Sequence, residues 1–203
     1  MRADERKGHH PRPALASRFP VHVTLKVRPE VPHLRRSDCF SVLRRCFALG
    51  KDRFGFRLVH FTVQGNHLHL LVEAKDKTAL SRGMQGLAIR IARRLNRALG
   101  RSGRVFAERY HERILKTPTE VRRALVYVLG NARRHAPDKY TARDWIDPMS
   151  SAPWFDGWRR RPREPWFQPE GEPPVVPPSS WLLGESWRRA GLLDPGHVPG
   201  AGS

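Results

Sequence analysis

Cysteine is scarce in this chain of 203 residues. The two cysteines, Cys39 and Cys46, lie seven positions apart on one predicted helix. Two helical turns separate their Cα atoms by roughly 10 Å, which is too far for a disulfide bond. We therefore expect two reduced thiols in the core, and a cytoplasmic protein without a disulfide framework.

Long apolar runs are also absent from the sequence. No stretch approaches the roughly 20 apolar residues that are needed to span a bilayer. Residues 1–20 carry charges and prolines where a signal peptide would need an apolar core of roughly 7 to 15 residues. We expect neither a membrane span nor a secretion signal.

Negative charge is rare in the first two thirds of the chain. The whole sequence has 38 Lys and Arg against 19 Asp and Glu, a formal net charge of +19. Residues 137–203 are nearly neutral, with 8 basic and 9 acidic side chains, so residues 1–136 hold 30 basic and 10 acidic ones. A field of this sign favours a polyanion, because each neutralised phosphate releases condensed counterions. Nucleic acid is the first candidate partner, and an anionic membrane surface is the alternative.

The apolar pattern between residues 18 and 136 predicts one α+β domain. We expect strands at residues 21–27, 55–64 and 67–73, and a fourth strand among residues 104–107 and 110–115. Helices are predicted at residues 38–53, 78–99 and 118–134. The order strand, helix, strand, strand, helix, strand is that of the ferredoxin-like split βαβ fold. It predicts an antiparallel sheet with helices on one face and one additional helix, which carries Tyr127.

The two ends of the chain differ in composition from this domain. Residues 1–17 are polar, basic and contain proline, which predicts a flexible arm. Residues 137–203, the C-terminal extension, hold 12 of the 18 prolines and all six tryptophans. Indoles are costly to expose to water, so we expect residues 145–158 and 181–193 to pack on the domain. A proline-rich linker is predicted at residues 168–180, and an extended wrap with a short terminal helix at residues 181–189.

The second predicted helix has an apolar stripe and a separate row of arginines. The stripe consists of Leu80, Met84, Leu87, Ile91 and Leu95. Away from it lie Arg90, Arg93, Arg94, Arg97 and Arg101, and Arg104 follows closely. Such a charge run is usually a solvated face, but the positive excess in the same domain makes nucleic-acid binding an equal alternative. We predict that these six arginines bind nucleic acid.

Two histidines, His67 and His69, open the third predicted strand, directly after the turn residues Gly65 and Asn66. Side chains alternate along a strand, so both imidazoles point to one face and can converge on one ion. Such a pair is more often a surface or core feature, and a divalent ion needs a third ligand. Asn131 can supply an amide oxygen.

Tyr127 is the candidate nucleophile, and it lies one helical turn before Asn131. Core packing is the usual role of a tyrosine on an amphipathic helix, and a phenol with a reference pKa of about 10 is a poor nucleophile at pH 7. Positive surroundings and a metal on the phosphate oxygens would assist it. Tyr110 is the competing nucleophile, but it has no ligand partner one turn away. His60 and Glu73, near the hairpin, are either supporting groups or surface residues.

Together these residues resemble the single-tyrosine transposases, and most of all the REP-associated tyrosine transposases. The resemblance is carried by His67, Leu68 and His69 and spans about residues 20–136. Supporting motifs lie at residues 84–87, 93–96, 103–106, 109–111 and 127–131. The sequence departs from the family pattern at Gly65 and Ala132, where the family usually has proline, and neither change removes a catalytic atom.

The resemblance implies a ferredoxin-like nuclease and ligase for single-stranded DNA, in its family context hairpin-forming DNA, acting as a monomer or homodimer. It implies that Tyr127 attacks a phosphodiester and forms a 5′-phosphotyrosine with release of a 3′-hydroxyl. It further implies that His67, His69 and Asn131 bind Mg²⁺ or Mn²⁺. Covalent storage of the bond energy would permit strand transfer without an external energy source.

Two other functions stay open from the sequence. A domesticated relative that keeps the fold and the charge could bind hairpin DNA as a non-catalytic regulator. A metal-dependent phosphoesterase for RNA or nucleotides is the third possibility. The presence of Tyr127 together with both histidines favours the transposase.

Overall fold

The computed structural model describes residues 15–135, 142–160, 162 and 172–197. Most of the predicted basic arm, residues 1–14, lies outside the described residues, as do residues 168–171 of the predicted linker. The elements of the domain, in chain order, are β1 (Val21–Lys26), α1 (Ser37–Gly50), β2 (Asp52–Arg53), β3 (Phe56–Val63), β4 (His67–Ala74), α2 (Lys77–Ala98), β5 (His111–Ile114) and α3 (Pro118–His135). The C-terminal extension contributes α4 (Trp181–Gly184) and two 3₁₀ helices, Ala152–Trp154 and Ser186–Ala190.

The five strands form one antiparallel sheet in the order β2, β3, β4, β1, β5. Without the two-residue β2, this is the ferredoxin-like strand order, so the predicted α+β fold class is confirmed. The turn at Gly65 and Asn66 joins β3 to β4, as predicted, and Gln64 N donates to the His67 carbonyl at 2.9 Å. In this register Thr24 of β1 and Thr62 of β3 both pair with His69 of β4.

Two predicted segments were wrong in detail. α1 ends at Gly50 rather than at residue 53, because Asp52 and Arg53 pair with β3 as the short strand β2. Residues 181–189 are helical rather than extended. The Ser180 hydroxyl accepts a hydrogen bond from Leu183 N at 3.3 Å, and this cap starts α4.

The two faces of the sheet are covered by different elements. α1 and α2 pack on the first face, in a core that contains Val23, Leu68 and Leu70. α3 and the C-terminal extension pack on the second face, against Val59 and Leu71. Side chains alternate along a strand, and Leu68 and Leu70 lie in the core of the first face. His67 and His69 of β4 therefore point to the second face. The predicted additional helix therefore lies on the histidine face, together with the C-terminal extension.

The C-terminal extension pairs with the outer edge of β3. Three backbone hydrogen bonds of 2.9–3.0 Å join them, from Val63 N to the Met149 carbonyl, from Ser151 N to the Phe61 carbonyl and from Val176 N to the Leu58 carbonyl. Arg35 fixes the first part of the extension through two 2.8 Å hydrogen bonds to the buried carboxylate of Asp147. These bonds protect an edge that would otherwise be open to pairing with another strand.

Glu73 anchors the start of α4 to the sheet. Its carboxylate is buried and accepts hydrogen bonds from the backbone N–H groups of Ser179 and Ser180 at 2.7–3.1 Å, and from the Ser179 hydroxyl at 2.7 Å. Burial acts to raise the pKa of Glu73, but these hydrogen bonds outweigh it, and the pKa is lowered. Glu73 is therefore an ionised internal anchor.

Both cysteines are buried and free, as predicted. Burial raises the pKa of Cys46 to about 11, so its thiol is protonated at pH 7 and unreactive. No helix among the described residues combines the length and the apolar character that a bilayer crossing requires.

Candidate active site

The candidate site lies where α3 crosses the second face of the sheet. Tyr127, on α3, is half-buried, and its Oη lies 3.3 Å from Nε2 of His69. The two rings meet edge to face with their centroids 4.9 Å apart. The fold thus brings together two residues that are 58 positions apart in the sequence.

The other nitrogen of His69 contacts two residues of β1. His69 Nδ1 lies 3.1 Å from Oγ1 of Thr24 and 3.3 Å from Nε2 of His22. With the proton on Nδ1, His69 donates to this pair and presents the lone pair of Nε2 to Tyr127 or to a cation. One lone pair cannot serve both, so the phenol contact and cation binding are alternatives at this nitrogen.

His67 stands beside His69, with ring centroids 4.7 Å apart. Its Nδ1 lies 2.7 Å from Oδ1 of Asn66, which can only accept, so Nδ1 carries the proton and the lone pair is on Nε2. An imidazole whose second nitrogen donates to an oxygen is the usual arrangement of a metal-binding histidine.

Asn131 is completely buried in α3, one turn after Tyr127. Neither atom of its side-chain amide has a hydrogen-bond partner among the described residues. Leaving such a group unsatisfied costs about 1–3 kcal/mol, and an absent water or ion is a common explanation. The described residues contain no group of three or more His, Cys, Asp or Glu side chains that could hold a metal. A cation bound by His67 and His69 would therefore need an amide oxygen or water as a further ligand, and the unpartnered Asn131 amide, one turn after Tyr127, is a chemically suitable candidate.

Sequence reasoning missed His22 and Thr24. Burial, with a smaller contribution from Arg113, lowers the pKa of His22 to about 4. His22 is therefore neutral at pH 7 and adds no charge against a cation. The signal was present, because the alternation in β1 turns both residues away from the core, and the ferredoxin-like order places β1 beside β4.

The other candidates lie elsewhere. Tyr110 packs against the core of the first face, on the opposite side of the sheet from His69. His60 shares the second face, but its Nδ1 lies 3.2 Å from the Ser151 hydroxyl of the C-terminal extension. Both His60 and Glu73 are buried, so the alternative that they are surface residues is wrong.

The predicted DNA-binding arginines divide into two groups. The apolar stripe of α2 packs on the first face, so Arg90, Arg93, Arg94 and Arg97 belong to the layer opposite to α3. Arg101 and Arg104 lie in the loop that follows α2. That loop reaches the end of β1 that pairs with His67, since Arg28 N donates to the Val105 carbonyl at 2.9 Å. The sheet therefore separates the α2 arginines from Tyr127.

Comparison with known proteins gives the family. A family model described as an IS200-like transposase matches residues 16–121, just over half of the sequence. The chain belongs to the IS200-like transposase family. It is therefore a DNA-binding transposase, and transposases cut and transfer DNA. The resemblance found in the sequence is confirmed.

This IS200-like transposase also has solved structural neighbours. Its fold is that of a REP-associated tyrosine transposase solved in complex with a REP hairpin, with a TM-score of 0.55 and 18% identity over 71% of this chain and 82% of that one. A candidate transposase from Deinococcus radiodurans R1 gives a TM-score of 0.38 and 20% identity, over 56% of this chain and 88% of that one. A search of curated proteins found no match.

Proposed function

We propose that this transposase cuts and rejoins single-stranded DNA with Tyr127 as its covalent nucleophile. The observation that carries the proposal is the 3.3 Å contact between Tyr127 Oη and His69 Nε2. In this contact the phenol of Tyr127 lies beside the imidazole of His69, and the His67 ring is next to that of His69. Tyr110, the competing nucleophile, packs against the core of the other face.

In the proposed step, Tyr127 Oη attacks the phosphorus of the scissile phosphodiester. A bond between the tyrosine oxygen and phosphorus forms, and the bond from phosphorus to the 3′-oxygen breaks. The phenolic proton passes to water, and the departing 3′-oxygen gains a proton from water. The 5′-phosphotyrosine keeps the energy of the broken bond, so attack by another 3′-hydroxyl can rejoin DNA.

His67, His69 and Asn131 would hold a divalent cation, which would stabilise the charge that develops on the phosphate oxygens. The lone pairs of the two imidazoles and the unpartnered amide of Asn131 support this assignment. Mg²⁺ prefers oxygen ligands and an octahedral shell with several waters, whereas imidazole suits softer ions. We therefore expect Mn²⁺ to serve at least as well as Mg²⁺.

We propose single-stranded DNA next to a hairpin as the substrate. The positive charge of residues 1–136 and the position of Arg101 and Arg104 near the end of β4 that begins with His67 support a DNA strand at this site. The neighbour solved with a REP hairpin supports the hairpin. Arg90, Arg93, Arg94 and Arg97 would bind another part of the DNA backbone, on the far layer.

We also propose separate roles for the domain and for the C-terminal extension. Residues 18–136 would be the catalytic domain, and the C-terminal extension would brace its second face. Tyr127 contacts His69 of the same chain, which supports action in cis by one molecule.

Labelled hairpin oligonucleotides with single-stranded flanks, incubated with Mn²⁺, test the proposal. The protein is expected to form a covalent DNA adduct that survives denaturing electrophoresis. Tyr127→Phe should lower adduct formation at least about 1000-fold, as loss of a covalent nucleophile does, and keep hairpin affinity. Tyr110→Phe is the matched control and should keep the adduct.

Other outcomes separate the alternatives. Tight hairpin binding without an adduct on any substrate would show a regulator instead of an enzyme. His67→Ala combined with His69→Ala is expected to abolish cleavage and spare hairpin affinity. Undiminished cleavage by that double variant would reject the proposed ligands.

A further inference from the structure

A cleft of about 350 Å³ opens between β5 and α3, beside the ring of Tyr127. Its polar wall is formed by His22, Arg113, Glu120, Arg123 and Tyr127. Neither His67 nor His69 belongs to this wall. The sheet order β4, β1, β5 places the cleft on the side of Tyr127 that is farther from the histidine pair.

The cleft is positively charged. Arg123 is exposed and has no ion-pair partner among the described residues. Arg113 lies 3.2 Å from the carboxylate of Glu120, which also accepts hydrogen bonds from Lys116 N and Thr117 N at 2.8 and 3.1 Å. The single carboxylate is thus already satisfied by internal donors, and both guanidinium groups stay accessible to an anion.

The geometry relates the cleft to the path of a DNA strand. Arg113 of β5 pairs with His22 of β1, and His22 pairs with Leu71 of β4. Adjacent strands are about 4.8 Å apart, so the backbone of Arg113 lies roughly 10 Å from β4. A DNA strand whose scissile phosphate sits against Tyr127 can therefore continue directly into the cleft.

We propose that this cleft binds the phosphate backbone of the single-stranded DNA next to the cut bond, with Arg113 and Arg123 as its ligands. The inference rests on the proposed function, because it places the scissile phosphate at Tyr127. Guanidinium groups suit the site because they bind phosphate oxygens in a bidentate manner. The apolar side chains of Leu115 and Ala124 complete the cleft and suit a sugar. Both arginines are positioning residues that align the strand for attack by Tyr127.

Binding assays in the Tyr127→Phe background test the cleft without any need for cleavage. The probes are one hairpin oligonucleotide with a single-stranded flank and the same hairpin without it. Each lost phosphate contact to a single strand lowers the slope of log K against log[salt] by about 0.7, which is about a fourfold loss of affinity at 0.15 M salt. Arg123→Gln should show this loss of affinity only for the probe with the single-stranded flank. The double variant Arg113→Gln and Arg123→Gln should show about twice the change in slope.

Two further variants serve as controls. Arg45→Gln removes the same charge from an exposed position on α1, in the opposite layer, and should leave the difference between the probes unchanged. Arg123→Lys keeps the charge and should restore the slope. Circular dichroism checks that each variant is folded.

The results that would reject DNA binding by the cleft differ from those that would reject the proposed cleavage by Tyr127. Equal losses for both probes, an equal loss in Arg45→Gln, or no loss at all would reject the cleft. If the unmodified protein forms adducts and the arginine variants keep flank-dependent binding, only the cleft fails. If the flank preference depends on both arginines and no adduct forms on any substrate, only the proposed function fails.

Discussion

The two faces of the sheet are built by the same strands and both bury apolar side chains, but the second face also carries the polar residues of the candidate site. Val23, Leu68 and Leu70 lie in the apolar core of the first face, whereas the neighbouring residues Thr24 and His69 meet on the second face. A shift of one residue in register would exchange the two sets. The burial of hydrocarbon on one face therefore fixes the positions of the imidazoles on the other, and stability and chemistry depend on one register.

The largest expected difference between the faces is in the paired variants Leu70→Ala and His69→Ala. Truncation of the fully buried Leu70 should cost about 2–5 kcal/mol in the free energy of unfolding. His69 is also buried, so His69→Ala should cost about 1–3 kcal/mol by leaving the Thr24 hydroxyl without this partner, and it should abolish adduct formation. Urea unfolding and the adduct assay measure the two effects. Similar destabilisation by both variants would show that His69 contributes as much to stability as the apolar Leu70 does.

A smaller and opposite effect is expected at Asn131. Asn131→Leu replaces an unsatisfied buried amide by a side chain of similar size and should raise the free energy of unfolding by about 1–3 kcal/mol. The same change should weaken Mn²⁺-dependent adduct formation, because it removes a proposed ligand. Urea unfolding and titration with Mn²⁺ check both.

Asn96 provides a comparison on the first layer. Its side-chain N–H donates to the Gly103 carbonyl at 2.8 Å, while its Oδ1 has no hydrogen-bond partner among the described residues. Asn96→Leu removes a hydrogen bond together with the unpartnered oxygen, so it should raise the free energy of unfolding less than Asn131→Leu does. A loss of stability in Asn131→Leu would indicate that the Asn131 amide is already satisfied in the folded protein.

The last effect, comparable in size with that at Asn131, concerns pH and the second face. Burial lowers the pKa of His60 from 6.5 to about 4. The unfolded chain therefore binds a proton below pH 6.5 that the folded chain takes up only near pH 4, so His60 lowers stability as the pH falls through this window. Between roughly pH 7 and pH 5 His60 should contribute about 2 kcal/mol to the loss, and His22, whose pKa is also lowered to about 4, a similar amount. Urea unfolding at both values measures it, and His60→Gln should show a weaker pH dependence; an unchanged dependence would assign it to other groups.

The sequence predicted those parts of the molecule that depend on local patterns. The hairpin at Gly65 and Asn66 follows from turn chemistry and alternation, and α2 follows from its apolar stripe. The contact between Tyr127 and His69 could not be derived from periodicity, and its prediction came from the resemblance to a family. The separation of the α2 arginines from Tyr127 was not foreseen, because a stripe shows which side of a helix is buried but not which face of the sheet it covers.

The contacts of the C-terminal extension were the least predictable. Glu73 and Ser180 are 107 positions apart, and Arg35 and Asp147 are 112 apart. Nothing in the local pattern of either segment specifies such a partner. The helical form of residues 181–184 depends on the same contacts, because Glu73 binds the N–H groups that precede α4. Composition indicated that the tryptophans would pack on the domain; the structure buries Trp187, whereas Trp181 is 55% exposed.

The C-terminal extension already forms hydrogen bonds with the outer edge of β3. Another polypeptide therefore cannot bind there by strand addition. The remaining flank among the described residues is β5, next to Arg113. A strand from another protein that paired with β5 would block the cleft in which we propose that the DNA lies. Binding of DNA and binding of such a protein at this edge would therefore compete.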